Sequence, residues 1–115
     1  MANTQNSVLE NINKQLTKAP NNAELYLKRA IVYTSLKQFD RAILDLNKSI
    51  SLDPTNYIAY FSRATMIYSI IKSLNETENS NYSLDMVIND YDRCLNENPN
   101  FSYAYFNRAN LKCQK

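Results

Sequence analysis

The sequence predicts an all-α fold of helix hairpins, on three observations. A phrase recurs: Tyr26-Leu27-Lys28-Arg29-Ala30, Tyr60-Phe61-Ser62-Arg63-Ala64 and Tyr105-Phe106-Asn107-Arg108-Ala109 each read Tyr, two variable residues, Arg, Ala. Each copy begins six residues after a proline, at Pro20, Pro54 and Pro99. Between the prolines, apolar residues recur at helical rather than alternating spacing, so the chain is an internal repeat of helices.

Composition narrows the function classes. A chain of 115 residues is the size of one domain and long enough to bury a core. Its 13 basic and 11 acidic side chains leave a formal charge of +2, too balanced for a nucleic-acid surface. With no histidine, the commonest general base and metal ligand is missing. With no glycine, phosphate-cradling loops, nucleophile elbows and dinucleotide fingerprints are excluded, because each needs close backbone approach. Cys94 and Cys113 are too few for a disulfide framework or a metal site. No cofactor and no metal is expected, and the chain reads as a non-enzyme. No run of about 18 apolar residues spans a membrane. Met1 to Asn6 carry neither a basic patch nor an apolar run, so the expected setting is the cytoplasm.

Taken in order, residues 7–18 place Val8, Leu9, Ile12 and Leu16 on one helical face, ended by Ala19-Pro20. Asn21 and Asn22 are positioned to cap a helix from Ala23 to Leu36 with Leu25, Tyr26, Ala30 and Tyr33 on one face. Lys37-Gln38 makes a turn without glycine, so a residue there tolerates strain. A helix from Phe39 to Leu52 buries Phe39, Ala42, Ile43, Leu46 and Ile50 and stops at Asp53-Pro54, and the short turn makes the pair antiparallel. Asn56 caps the next helix, with Tyr57, Tyr60, Ala64 and Ile67, which runs to Ile71 or a turn beyond. The period then breaks: 34 residues separate Pro20 from Pro54 but 45 separate Pro54 from Pro99, an insertion of 11. That insertion lies near 72–83, a polar surface loop with a short extension of the preceding helix. Leu84, Val87, Ile88, Tyr91 and Leu95 restore the pattern, and Asn100 to Lys115 begin one more first helix.

The pattern resembles the tetratricopeptide repeat family. It rests on Tyr26, Ala30, Tyr33, Phe39, Ala42, Leu46 and Pro54, then on Tyr60, Ala64, Val87, Tyr91, Cys94 and Pro99, then on Tyr105 and Ala109. The resemblance implies a right-handed superhelix of about six helices over residues 1–115. Its parts are the second helix of a partial repeat (7–19), a full repeat (23–54), a second full repeat with the insert (57–99), and the first helix of a third (102–115). Four departures stand out: Arg29, Arg63 and Arg108 where leucine is commoner; no glycine in the hairpin turn; Val8 and Val87 for a small alanine; and the insert between two helices of one unit. The pentatricopeptide repeat has a similar length, but the balanced charge and recurring proline argue against it.

In that family the first helices line a concave groove for peptides. The resemblance places Glu24, Leu27, Lys28 and Ile31 there from the first hairpin, and Ile58, Phe61, Ser62, Thr65 and Tyr68 from the second. Tyr103, Phe106, Asn107 and Asn110 come from the last helix. Leu27, Phe61 and Phe106 share one slot and are expected to form an apolar ladder for a peptide or a neighbouring unit. The family's co-chaperones clamp acidic chaperone tails with Lys, Asn and Arg. Those places here hold Leu27, Ile31, Ser62, Tyr103 and Asn107, so an acidic tail is not the expected ligand.

Other features read as structure. The three arginines are expected to lie on apolar neighbours and hydrogen-bond adjacent helices. Cys94 reads as inert core and Cys113 as exposed. Asp85, Asp90 and Asp92 read as a solvated face rather than an acid/base pair. Asn75-Glu76-Thr77 and Asn81-Tyr82-Ser83 match glycosylation acceptors, which matter only in a eukaryotic secretory setting. The function expected is a protein-interaction scaffold with a protein or peptide partner, and no nucleic acid or membrane. The alternative is a self-association segment whose end helices stack on neighbouring copies, tested by charging Val8 or Leu111.

Overall fold

The computed structural model describes residues 4–74 and 82–114, with only the backbone described at residues 4, 5, 74 and 112–114. Asn75-Glu76-Thr77, Asn81, most of the insert and the Cys113 side chain lie outside the described residues. Among the described residues six helices follow in order: α1 (Thr4–Lys18), α2 (Ala23–Ser35), α3 (Phe39–Leu52), α4 (Tyr57–Leu74), α5 (Leu84–Glu97) and α6 (Ser102–Gln114). The fold is all-α, and no described helix is long and apolar enough to cross a membrane. The chain divides into two compact units, Met1–Pro54 and Thr55–Lys115.

In the first unit α2 packs on both α1 and α3. Ile12 and Leu16 of α1 meet Leu25 of α2, flanked by Ala19, Tyr26 and Val32. The proline turn between them closes when Asn22 N–H donates to Ala19 O (3.3 Å) and the Tyr26 hydroxyl donates to Pro20 O (2.7 Å). Asn22 then caps α2, its Oδ1 accepting from Leu25 N–H (3.2 Å). The α2–α3 turn ends as a Schellman motif: Gln38 N–H donates to Tyr33 O (2.9 Å) and Lys37 N–H to Thr34 O (3.0 Å). Lys37 holds φ at 60°, the left-handed conformation glycine usually supplies, which locates the strain the sequence places in this turn. Ala42, Ile43 and Leu46 of α3 are buried against α2.

The second unit repeats this plan with α4, α5 and α6. Asn56 Oδ1 accepts from Ile58 N–H (3.0 Å) to start α4, and Ser83 Oγ accepts from Met86 N–H (3.3 Å) to start α5. Phe101 N–H donates to Asn98 O (3.2 Å), the turn already seen around Pro20. Helix α4 runs to Leu74, into the start of the insert, as expected.

Three expectations are corrected. Val8 is exposed rather than on the buried stripe, because α2 covers α1 along Ile12 and Leu16. Ala109 is exposed, unlike its buried equivalents Ala30 and Ala64, which face α3 and α5. Leu111 is buried, so a charge there would disrupt the second unit itself.

Candidate functional site

The recurring arginines brace the helices. Arg29 donates from Nε and Nη2 to the two carboxylate oxygens of Asp45 (2.7 and 2.8 Å), and from Nη1 to Asn13 Oδ1 (2.9 Å). Arg63 grips Asp90 through the same two nitrogens (2.8 and 2.7 Å). Both aspartates stand nine residues before a proline, so the insertion passes without disturbing the pair. Hydrogen bonding to Asp45 raises the Arg29 guanidinium above its usual range, with burial working against the shift, and Asp90 does the same for Arg63. The guanidinium carbons lie 5.5 Å from the Tyr26 ring centroid and 5.9 Å from that of Tyr60. Arg108 differs: its Nη1 meets Asp92 (2.7 Å) on the preceding helix. Asp90 is therefore a buried ion-pair partner and not part of a solvated face, which corrects the reading of the three aspartates.

The surface hollow with the clearest geometry lies in the second unit. Phe61 of α4 meets Phe101 edge-on (5.0 Å between centroids) and Tyr91 of α5 at 5.8 Å. Phe101 also meets Tyr57 (5.1 Å) and Tyr103 (5.7 Å), so one aromatic row joins α4 to α6. Beside it, a hollow of about 180 Å³ is lined by Thr65, Tyr68, Tyr91, Asn107, Asn110 and Leu111. At its floor the Tyr91 hydroxyl lies 3.3 Å from Thr65 Oγ1 and accepts from Asn107 Nδ2 (3.3 Å). On the outer surface of α6, Tyr103 and Phe106 are each 68% exposed. The arrangement offers apolar contact area next to hydroxyl and amide groups. It suits the docking of a side chain together with its backbone.

The structure thus brings together Thr65, Tyr68, Asn107 and Asn110 around one hollow, with Phe61 and Tyr103 in the adjoining aromatic row. Ile58 and Ser62 lie half-buried on α4. In the first unit Glu24 and Lys28 are exposed and pair with each other (3.7 Å), and Ile31 is exposed. Leu27 does not belong with them: at 7% exposure it is part of the core, so the expected rung is buried. Sequence reasoning left Tyr91, Phe101 and Leu111 out of the site. Tyr91 carried a signal, since Leu46 holds the same slot in the other unit and a tyrosine there adds a hydroxyl to the floor.

A second concavity, lined by Tyr60, Asp92, Arg93, Asn96 and Glu97, is polar and already cross-linked by Asp92–Arg108 and by Arg93 at 6.0 Å from the Tyr60 ring. Cys94 is buried, and desolvation pushes its thiol up to about 11, which leaves it unreactive near neutral pH. Among the described residues no three His, Cys, Asp or Glu side chains converge to hold a metal.

Comparison with known proteins agrees with this architecture. A family model described as the tetratricopeptide repeat matches residues 23–56. Small glutamine-rich tetratricopeptide repeat-containing protein 2 of Saccharomyces cerevisiae is 42% identical over 41 residues, 36% of this chain and only 12% of that protein. Among solved structures, the first such domain of Spaghetti (RPAP3), bound to an HSP90 peptide, superposes with a TM-score of 0.81 at 24% identity, covering 96% of this chain and 79% of that one. The Arabidopsis OM64 domain gives 0.82 at 21% identity over 96% and 83%. The TPR2B domain of yeast Sti1, in a complex with pHsp70, gives 0.78 at 19% over 96% and 85%.

Proposed function

We propose that the chain, which carries a tetratricopeptide repeat match over residues 23–56, is a non-enzymatic scaffold that docks a peptide or partner protein on the α4/α6 face of its second unit. One observation carries the reading: two large side chains, Tyr103 and Phe106, stand 68% exposed on α6, the helix that gives Asn107 and Asn110 to the hollow. A contiguous exposed apolar patch rimmed by polar groups marks a contact surface. The amide groups of Asn107 and Asn110 both donate and accept, which suits an extended backbone, while the aromatic row takes a spaced apolar side chain.

Peptide complexes of two of the similar structures support a peptide ligand for this surface as well. The ligand differs in chemistry from a tail held by its carboxylates. Leu27, Ile31, Ser62, Tyr103 and Asn107 occupy the clamp places, and none is a Lys or Arg. An apolar anchor, not a doubly charged terminus, sets the affinity.

The test is affinity capture with the wild-type chain and its Phe106→Glu variant, with circular dichroism showing that both fold. Phe106 is exposed, so the variant keeps its fold and loses its partner by roughly 30-fold, the scale of an interface anchor. An acidic C-terminal peptide titrated in parallel shows no saturable binding. A partner held equally by wild type, Phe106→Glu and Tyr103→Glu overturns the reading.

A further inference from the structure

The floor of the second-unit hollow has a fixed hydrogen-bond direction. Thr65 Oγ1 donates its proton to Phe61 O one turn back (2.9 Å), so across the 3.3 Å to the Tyr91 hydroxyl it accepts. The Tyr91 hydroxyl therefore donates to Thr65 and accepts from Asn107 Nδ2 (3.3 Å). Amide, phenol and alcohol form one chain from α6 to the α4 backbone, and each bond polarises the next. Both hydroxyl protons are spent, so the floor offers a newcomer oxygen lone pairs and no proton. Above it, among the described residues, Asn107 Oδ1 and the Asn110 carboxamide make no hydrogen bond.

This face stays open in a completed hairpin. Asn110 stands five residues after Tyr105, as Ile31 does after Tyr26 and Thr65 after Tyr60. Ile31 and Thr65 are exposed although α3 and α5 complete their hairpins. The polar floor, by contrast, belongs to the second unit. In the first unit the slots of Thr65 and Tyr91 hold Ile31 and Leu46, whose side chains neither donate nor accept.

Resting on the peptide-docking reading above, we propose that the hollow takes the primary carboxamide side chain of a glutamine or asparagine in the bound peptide. Its NH2 group donates to the lone pairs of Tyr91 and Thr65, and its carbonyl oxygen accepts from the Asn110 amide. Tyr91 is 2% exposed, so its hydroxyl is met by a side chain that dips in and not by main chain crossing the rim. A volume of about 180 Å³ admits one such side chain. A carboxylate of the same shape meets lone pairs without a proton between them. None of the residues lining the hollow is charged, so neither a carboxylate nor an ammonium is offset there. Lys72 Nζ already stands 5.7 Å from the Tyr68 ring centroid, which repels a further cation. An aliphatic side chain fits the space but excludes water from the floor oxygens without replacing its hydrogen bonds.

The probe is a peptide selected from a random library on the wild-type chain, titrated by calorimetry beside two analogues. In one analogue the carboxamide residue becomes its isosteric acid, and in the other an aliphatic residue. The selected peptides share one glutamine or asparagine, the acid binds about 30-fold more weakly, and the aliphatic analogue about tenfold more weakly. Thr65→Val then removes the acceptor of the Tyr91 proton and frees that proton to meet a carboxylate. In this variant, shown by circular dichroism to be folded, the preference for amide over acid shrinks about tenfold. Peptides that bind and are lost with Phe106→Glu, yet share no carboxamide or tolerate the acid, overturn the inference and leave the docking surface standing. A preference unchanged in Thr65→Val does the same. No peptide bound, or binding indifferent to Phe106→Glu and Tyr103→Glu, overturns the docking reading and the inference with it.

Discussion

The two units use the same scaffold to opposite ends. Leu46 of the first and Tyr91 of the second occupy one slot, eight residues before a proline, and both are buried. The first unit has leucine there: Leu27 and Leu46 are both buried, and Ile31, Lys28 and Glu24 remain as surface groups. Tyrosine opens the second, because its hydroxyl must be satisfied and finds Thr65 and Asn107 at the rim of the hollow. The bracing is unchanged between them, Arg29–Asp45 in one and Arg63–Asp90 in the other. A repeat keeps its frame at the Arg, Ala and Pro positions and varies its surface at the slots between.

The largest test of that contrast is Leu46→Ala, which opens a cavity in a sealed core and costs about 3 to 5 kcal/mol in denaturant unfolding. Hydrogen exchange should accelerate in the first unit ahead of the second. The shared frame predicts near-equal losses for Asp45→Ala and Asp90→Ala, about 2 to 4 kcal/mol each. Each leaves a partly buried guanidinium without its partner, and the residual exposure of the arginines keeps the loss below that of a fully buried pair. Markedly unequal losses would show that the insert has altered the brace. Tyr91→Phe removes only the hydroxyl, costs about 1 kcal/mol, and weakens the proposed peptide docking at the hollow while leaving the first unit untouched.

Cys94 supplies a pH test. Its folded pKa, raised to about 11 from an ordinary 9.0, means that folding favours the neutral thiol. The stability this contributes is complete below pH 9 and lost as pH rises from 9 towards 11. Cys94→Ala should flatten that part of the stability profile relative to wild type, although it lowers the baseline through lost packing. The smallest effect is Lys37→Gly. Relief of the left-handed backbone outweighs the added freedom of the unfolded chain by a few tenths of a kcal/mol, read as a slight rise in Tm.

Most of the fold was legible because its signals are local. Pro20, Pro54 and Pro99 set the period, Asn22 and Asn56 announce helix starts, and a turn without glycine announces strain. The site was legible only in part. Thr65, Tyr68, Asn107 and Asn110 follow from the slots of a first helix, whereas Leu27 and Phe106 share a slot and end in opposite environments. Burial at that slot depends on what lies across it, which spacing within one helix does not encode. Phe101 stands in a turn, outside any helical period, and Asp90 looked solvated until its arginine was seen across the hairpin.

The most direct test of the central claim is chemical-shift mapping of a peptide selected from a random library against the wild-type chain and counter-selected against Phe106→Glu. The perturbed amides are expected to cluster at Thr65, Tyr68, Tyr91, Phe106, Asn107 and Asn110. Perturbations centred instead on Glu24, Lys28 and Ile31, with the hollow silent, would contradict it.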